Sequence, residues 1–395
     1  MAYRSMYCYA WDLAEAGVSA VADTLRARHI NVITLAGAYH AGKFLRPHGR
    51  SGKVYFPEDG TAYFKTRPDR YGAIKPVENS LLAERDIFDE CCRLDGMGVT
   101  AWMVLMHNSR LGQAHPEACV ENAFGDRYIY NLCPAAPAAR AYATALCADI
   151  ADAYPVIGLT LETPGFLPFQ HGYHHEFGLV RQNAWLDNHL GLCFCAHCRE
   201  GARADDIDAE ALRHRVRAAI DSYLASDVDH DDDMAAAYWL SDIVLDPDLG
   251  RFLRWRCRTV ESLIAEIRAA VRPDATVAVI PSVARPTAGG WYEGSDLAGL
   301  ARVADRVEVC FYEPSVARIR SDLHDAARRV GDVGVLRGVL RPGHPDLTCE
   351  DQVIAAVRAL HDGGVSDISF YNYGHLRAAS LDWMGTALAA LEVAA

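Results

Sequence analysis

The feature that most limits what this chain can fold into is an alternation running its whole length. Short β-branched or apolar runs are each followed by a stretch with helical periodicity. The runs fall at 6–10, 31–36, 99–106, 156–161, 276–281, 307–312, 333–339 and 367–371. Helical patterning occupies 13–28, 80–94, 138–153, a long region across 208–271, then 297–303, 316–329, 350–362 and 380–392. Strands buried on both faces are near-continuous apolar runs, and successive parallel strands need a crossover, usually a helix. Eight such units, with no Gly-rich dinucleotide fingerprint after the first strand, predict an α/β fold, a (βα)8 TIM barrel occupying 1–395 as one domain. An open doubly wound sheet is the alternative, and eight regular units weigh against it.

Three connections are much longer than the usual few residues: 37–79, 107–137 and a loop with a helical insertion over 163–250. All follow strands, so they belong to the barrel face where active sites sit. The acidic run "DVDHDDD" inside the insertion (227–233) is expected to be a solvated turn between helices.

Charge narrows the partners. A formal net charge of -13 argues against nucleic acid, because phosphate neutralisation needs a basic face. No run of 18 apolar residues exists, so no membrane span is expected. The first residues, "MAYRSMYCYAWDLAEAG", carry acidic groups where a signal peptide needs an apolar core, which suggests a cytoplasmic protein. The sequence leaves a homo-oligomer open.

If the barrel is right, chemistry belongs where strands end. That rule selects Asp12 after the first strand, His40 after the second, and His107 with Asn108 after the third. It selects Glu162 from "GLTLE" on the fourth, Tyr312 and Glu313 on the sixth, Arg337 on the seventh, and Tyr371 with Asn372 on the eighth. Such a mixture of aromatics, amides and charged groups suits a polyhydroxylated small molecule, whose C–H faces stack on rings and whose hydroxyls need donors and acceptors. Glu162 is the sharpest candidate, since a carboxylate at the mouth of an apolar strand costs free energy unless it is used or paired. Glu313 is placed in the same way on the sixth strand, although Glu-Pro also begins helices. Two carboxyls facing one bond, about 5 to 9 Å apart, are what glycoside hydrolysis requires. Glu162 and Glu313 are therefore the expected catalytic pair, with Asp12, His40, His107, Asn108, Arg337, Tyr312, Tyr371 and Asn372 the expected substrate-binding shell.

Of twelve cysteines, most sit singly in apolar runs and are expected to be buried reduced thiols. The segment "GLCFCAHC" (191–198) differs, because Cys193, Cys195 and Cys198 put three soft ligands within reach of one ion. Zinc prefers four tetrahedral ligands. His171 is the expected fourth, with His174, Cys133 and Cys119 as alternatives, all on loops of the same face. A site so rich in cysteine is expected to be a structural Zn2+ site that ties down the loop after the fourth strand.

The stretches "WMVLMHNSRLG" (102–112), "AFGDRYIYNLCP" (123–134), "LTLETPGF" (159–166), "LCFCAHC" (192–198) and "FYNYG" (370–374) carry a resemblance. The chain resembles a group of bacterial TIM-barrel proteins described as glycoside hydrolases that carry a Cys-x-Cys-x-x-Cys motif after strand 4. The likeness covers essentially the whole chain. In the similar α-galactosidase-like group, a strand 4 carboxylate is the nucleophile and a strand 6 carboxylate the acid/base. By that resemblance Glu162 and Glu313 take those roles, with glutamates where that group uses aspartates. The expected function is hydrolysis of a small carbohydrate or glycoside. The rivals are a zinc-dependent lyase, isomerase or hydrolase acting on a polyhydroxylated molecule, and a non-catalytic sugar-binding barrel.

Overall fold

A computed structural model describes residues 2–173 and 178–392. Its centre is a closed ring of eight parallel strands. In chain order these are β1 (Arg4–Cys8), β2 (Val32–Tyr39), β3 (Gly98–Val104), β4 (Gly158–Glu162), β5 (Thr276–Val279), β6 (Arg306–Cys310), β7 (Leu336–Leu340) and β8 (Asp367–Phe370). Each pairs with its sequence neighbours, and Met6 of β1 aligns with both Ile33 of β2 and Phe370 of β8, which closes the barrel. The expected (βα)8 fold is therefore the observed one. One boundary shifts: Val333–Val335 is a 3₁₀ turn that delivers the chain to β7, not the start of that strand.

Helices α1 (Val18–Arg26), α2 (Ile87–Cys92) and α3 (Pro137–Ala153) follow the first three strands. Between β4 and its return helix the chain inserts α4 (Ala184–Leu190), α5 (Ala196–Ala204), α6 (Ala209–Leu224) and α7 (Asp232–Leu245). Helix α8 (Pro247–Ala270) then returns to β5, and α9 (Leu297–Val303), α10 (Val316–Val330), α11 (Glu350–Asp362) and α12 (Ala378–Glu392) complete the outer layer. The insertion becomes helical earlier than its pattern suggests, because Asn183 caps α4 through Leu186 N–H. No helix among the described residues is long and apolar enough to cross a membrane.

Side chains alternate inward and outward along each strand. The inward set here is polar and aromatic. Deep in the barrel, Ser5 bonds to Thr34, and the hydroxyl of Tyr3 approaches Thr34 and Thr100. Above them Glu308 is fully buried and accepts from Tyr7 (2.9 Å), Thr160 (2.9 Å), Ser369 (3.1 Å) and Arg337 Nη1 (3.1 Å). The Arg337 guanidinium also lies 3.5 Å from the centre of the Tyr3 ring. A buried carboxylate is tolerated when its lone pairs are filled in this way.

This network corrects one expectation. Arg337 lies second in β7, not at its end, and its charge is spent on Glu308 inside the barrel, away from the mouth.

Candidate active site and four-cysteine centre

The uppermost inward layer is a bowl of rings. The Tyr9 hydroxyl bonds to those of Tyr39 and Tyr371, each at 2.9 Å. The Trp102 ring lies against Tyr7, Tyr9, Tyr39 and Tyr371, and Tyr312 leans on Tyr371. Glu162 rises from this bowl at the end of β4. Its register partner on β3 is Val104, so the inward Trp102 sits one layer below and its indole Nε1 reaches up to Glu162 Oε2 at 2.5 Å. Burial pushes the Glu162 carboxyl up to about 7, against the opposing pull of the Trp102 hydrogen bond. The next residue, Thr163, adopts φ +50°, a conformation that β-branched side chains resist. Its carbonyl is pinned by Met106 N–H. Strain of this kind, of order 1–3 kcal/mol, clusters at functional sites.

Glu162 opens into a cleft of about 380 Å³ whose wall also carries Asp187, His171, Ser282 and Glu293. Glu293 ends a 3₁₀ turn (Thr287–Glu293) in the loop after β5. Its carboxyl accepts from the Ser282 hydroxyl at 2.6 Å, and its carbonyl accepts from Phe166 N–H at 2.9 Å. The backbones approach so closely there that a Cβ on Gly165 would fall 2.0 Å from the Glu293 carbonyl oxygen. Burial pushes Glu293 up to about 7; Ser282 and Arg256 oppose that shift, while the Glu162 charge adds to it. Arg256, on α8, is fully buried between the faces of Phe166 (4.4 Å) and Tyr292 (5.1 Å) and forms no ion pair among the described residues.

Glu293 was not on the expected roster, because it lies beyond the strand end in "GGWYEG". Its place is taken from Glu313, which the structure does not bring to this cleft. Inward positions on this stretch are Glu308, Cys310 and Tyr312, so Glu313 has the wrong parity. It faces the outer layer, where it pairs with Arg318 of α10 at 2.5 Å.

The other predicted residues divide. Tyr312 and Tyr371 belong to the bowl. His40 stacks on Tyr39 (4.3 Å) and on His107 (4.1 Å), and His107 meets His171 at 5.4 Å, so the three imidazoles form a row leading to the cleft. Asn108 is buried as the cap of the short helix Ser109–Ala114, accepting from Leu111 N–H and donating to Gly60 O. Asn372 is buried and accepts from Gly374 N–H, which holds the turn after β8. Asp12 is buried beneath the loop after β2, where Arg46 Nε binds it at 2.7 Å. Burial raises its pKa to about 6, with Arg46 opposing. These three brace loops and do not line the cleft.

Cys193, Cys195 and Cys198 do gather, and the fourth donor is Cys133. All four sulfurs lie within 4.8 Å of one another, and all four side chains are buried. Cys133 follows the hairpin strand Arg127–Leu132, Cys195 precedes α5 and Cys198 lies in its first turn. The sulfur of Cys133 is 3.4 Å from Cys198, 3.7 Å from Cys195 and 3.9 Å from Cys193. His171 is therefore not the fourth ligand: a turn closed by its own N–H to Pro168 O directs it into the carboxylate cleft. Cys119 instead points its sulfur at the Gly112 and His115 carbonyls. His174, together with His175 and Glu176, lies outside the described residues.

The centre and the cleft share walls. Glu121 N–H points at Cys193 Sγ, and Asn131, two residues before Cys133, accepts from Leu167 N–H of the cleft wall. The Tyr292 hydroxyl donates to Asn188 O of α4, next to Asp187, and precedes Glu293 in the chain.

No family model matches this sequence, and no curated protein matches it. Solved structures do share the fold. The glycoside hydrolase domain of PgaB (BpsB) from Bordetella bronchiseptica aligns over 94% of this chain and 94% of its own, at 14% identity and a TM-score of 0.58. The catalytic domain of a β-amylase from Paenibacillus polymyxa aligns over 98% of both chains, at 11% identity and a TM-score of 0.58. An α-L-fucosidase from Paenibacillus thiaminolyticus is covered over 49% of its length and 99% of this chain, at 13% identity and a TM-score of 0.53. At such identities the likeness is one of fold.

Proposed function

We propose that this chain is a glycoside hydrolase-like enzyme acting on a small carbohydrate or glycoside, with Glu162 and Glu293 as its working carboxyls. The observation that carries this reading is their shared cleft. Two carboxyls there, each pushed up to about 7, hold roughly one proton between them near neutral pH. A glycosidic bond needs that division, one carboxylic acid and one carboxylate.

The surroundings assign the roles. Glu293 has the Ser282 hydroxyl and the Arg256 charge to favour its ionised form, whereas among the described residues Glu162 has the Trp102 N–H alone. Glu162 is thus the acid that protonates the leaving oxygen. Glu293 is the carboxylate that stabilises the oxocarbenium-like centre, by attack on carbon or by taking a proton from water. Tyr371, partly exposed at the rim of the bowl, offers a ring face to the sugar, and His171 on the cleft wall offers a polar edge.

We also infer that Cys133, Cys193, Cys195 and Cys198 hold one structural zinc ion. Four thiolates each about 2.3 Å from a tetrahedral ion stand about 3.8 Å apart. The sulfur separations of 3.4 to 3.9 Å around Cys133 fit a single ion, and a disulfide would bring two sulfurs to about 2.05 Å. Four cysteines leave no open coordination position, so such an ion cross-links the insertion and leaves the chemistry to the carboxyls.

The test is a panel of chromogenic glycosides assayed with the wild type, Glu162→Gln and Glu293→Gln. The wild type should cleave at least one substrate, and each variant should lose about 10²-fold or more in kcat while keeping the fold by circular dichroism. Near-normal turnover in both variants would remove the pair from the mechanism.

A further inference from the structure

Beside the carboxylate cleft, on the far side of Tyr371, lies a second cavity of about 430 Å³ bounded by the loops after β7 and β8. Its charge is opposite. The ionisable groups on its wall are Arg341, His344, His375, Arg377 and Tyr371, and no carboxylate among the described residues lines it. In a chain with a formal net charge of -13, a cavity wall carrying two guanidinia and no carboxylate stands out.

The nearest acid, Asp346, is fully committed. It is buried beneath the cavity and clamped between Arg341 and Arg285, two guanidinia on one carboxylate. Arg341 reaches it through Nε. Its guanidinium carbon lies 4.5 Å from the centre of the Tyr312 ring, and its two terminal nitrogens make no hydrogen bond among the described residues. Arg377 is exposed on the rim and forms no ion pair among the described residues. His375 is tied to Leu45 O and the Tyr9 hydroxyl, and burial holds its pKa down, so it serves as a neutral polar edge.

Two packed rings stand between the cavity and Glu162. Tyr371 forms part of its wall and lies 5.8 Å from Trp102, whose indole binds Glu162. A ligand with one sugar over the carboxyls and the next against Tyr371 would place a substituent of the second sugar among these guanidinia. A planar fork of free N–H groups matches a carboxylate or a sulfate, and a neutral hydroxymethyl group would leave it unused.

We propose that this cavity is a subsite for a sugar bearing an oxyanion, a uronic acid or a sulfated residue, beside the bond to be cleaved. The assignment rests on the carbohydrate reading of the neighbouring cleft. It is tested by direct binding, independently of hydrolysis, using Glu162→Gln protein and isothermal titration calorimetry with D-glucuronate, D-glucose 6-sulfate, D-glucose and sodium sulfate. At least one anionic sugar should bind about ten-fold or more tighter than D-glucose, as charge-assisted hydrogen bonds of this kind predict. Preference for glucuronate identifies a uronic acid, and preference for the 6-sulfate identifies a sulfated sugar. Adding Arg377→Ala, or Arg341→Lys, which keeps the charge on Asp346 but loses the fork, should abolish that preference.

Equal binding of D-glucose and both anionic sugars overturns the subsite and leaves the carbohydrate reading intact. Sodium sulfate binding as tightly as either anionic sugar overturns it too, since the sugar then contributes nothing. Tight binding of an anionic sugar in a protein that hydrolyses no glycoside upholds the subsite and removes the hydrolase reading.

Discussion

The indole of Trp102 donates to Glu162 at 2.5 Å, and among the described residues no cation forms an ion pair with that carboxyl. Glu162 therefore sits in the barrel mouth with a single neutral donor to offset its burial, and burial wins: its carboxyl is pushed from the usual 4.5 up to about 7. A carboxyl raised in this way weakens the fold whenever it is charged.

The sign of that linkage makes a stability prediction. Because the folded-state pKa lies above the unfolded one, the favourable contribution is complete below about pH 4.5 and is lost as pH rises through about 7. Glu162→Gln should therefore stabilise the protein by roughly 1–3 kcal/mol at about pH 8 and change little near pH 4. Urea melts at the two pH values measure it; a variant less stable than the wild type at pH 8 would contradict the assignment of Glu162 as an unpaired acid.

The rate should follow the same groups. If Glu162 must be protonated and Glu293 ionised, kcat/KM against pH is a bell centred near neutrality. A flat profile between about pH 5 and 9 would exclude the pair, since both limbs belong to it.

Arg256 stands behind only one of the two carboxyls. Its charge helps keep Glu293 ionised, although it touches neither substrate nor cleft. Arg256→Met should raise the Glu293 pKa and move the acidic limb of kcat/KM upward by about half a unit or more, with Arg256→Lys restoring it in part. An unmoved acidic limb in a folded Met variant would reduce Arg256 to a packing residue.

Arg337 and Glu308 answer a different question, because the arginine was expected to bind substrate and instead meets Glu308 in the barrel interior. Arg337→Met leaves a buried carboxylate without its counter-charge and should cost about 3–5 kcal/mol of stability, with Glu308→Gln in the same chain recovering part of it. KM should stay near the wild-type value in whatever fraction is folded. A large rise in KM with unchanged stability would return Arg337 to the substrate.

These residues show why the fold was more legible than the site. The barrel is written in local periodicity, and each βα unit carries its own signal. Glu162 was legible because it ends its strand facing inward. Glu313 is one position out of phase with Tyr312, and a strand end read to within a residue cannot fix which side chain points into the barrel. Glu293 reaches the cleft from a 3₁₀ turn well past β5, held by Phe166 N–H, and no pattern within its own segment encodes that contact. Cys133 reaches Cys193 across sixty residues. Three members of the cysteine cluster were visible in "GLCFCAHC", and the fourth depended on how two loops pack.

That fourth ligand gives the last prediction. Purified protein should carry one equivalent of zinc, and Cys133→Ser should lose most of it, since three thiolates hold the ion more weakly than four. Cys119→Ser and His171→Ala should keep a full equivalent, because neither residue belongs to the cluster. Stripping the metal should lower the melting temperature by roughly 5–10 °C, as expected where ion binding contributes to folding. It should also increase hydrogen exchange in α4, which carries Asp187 of the cleft and is tied through Asn188 to Tyr292. Elemental analysis of the four proteins decides the ligand set. Zinc retained by Cys133→Ser but lost from His171→Ala would reverse the assignment and place the ion at the carboxylate cleft, where it would become part of the chemistry.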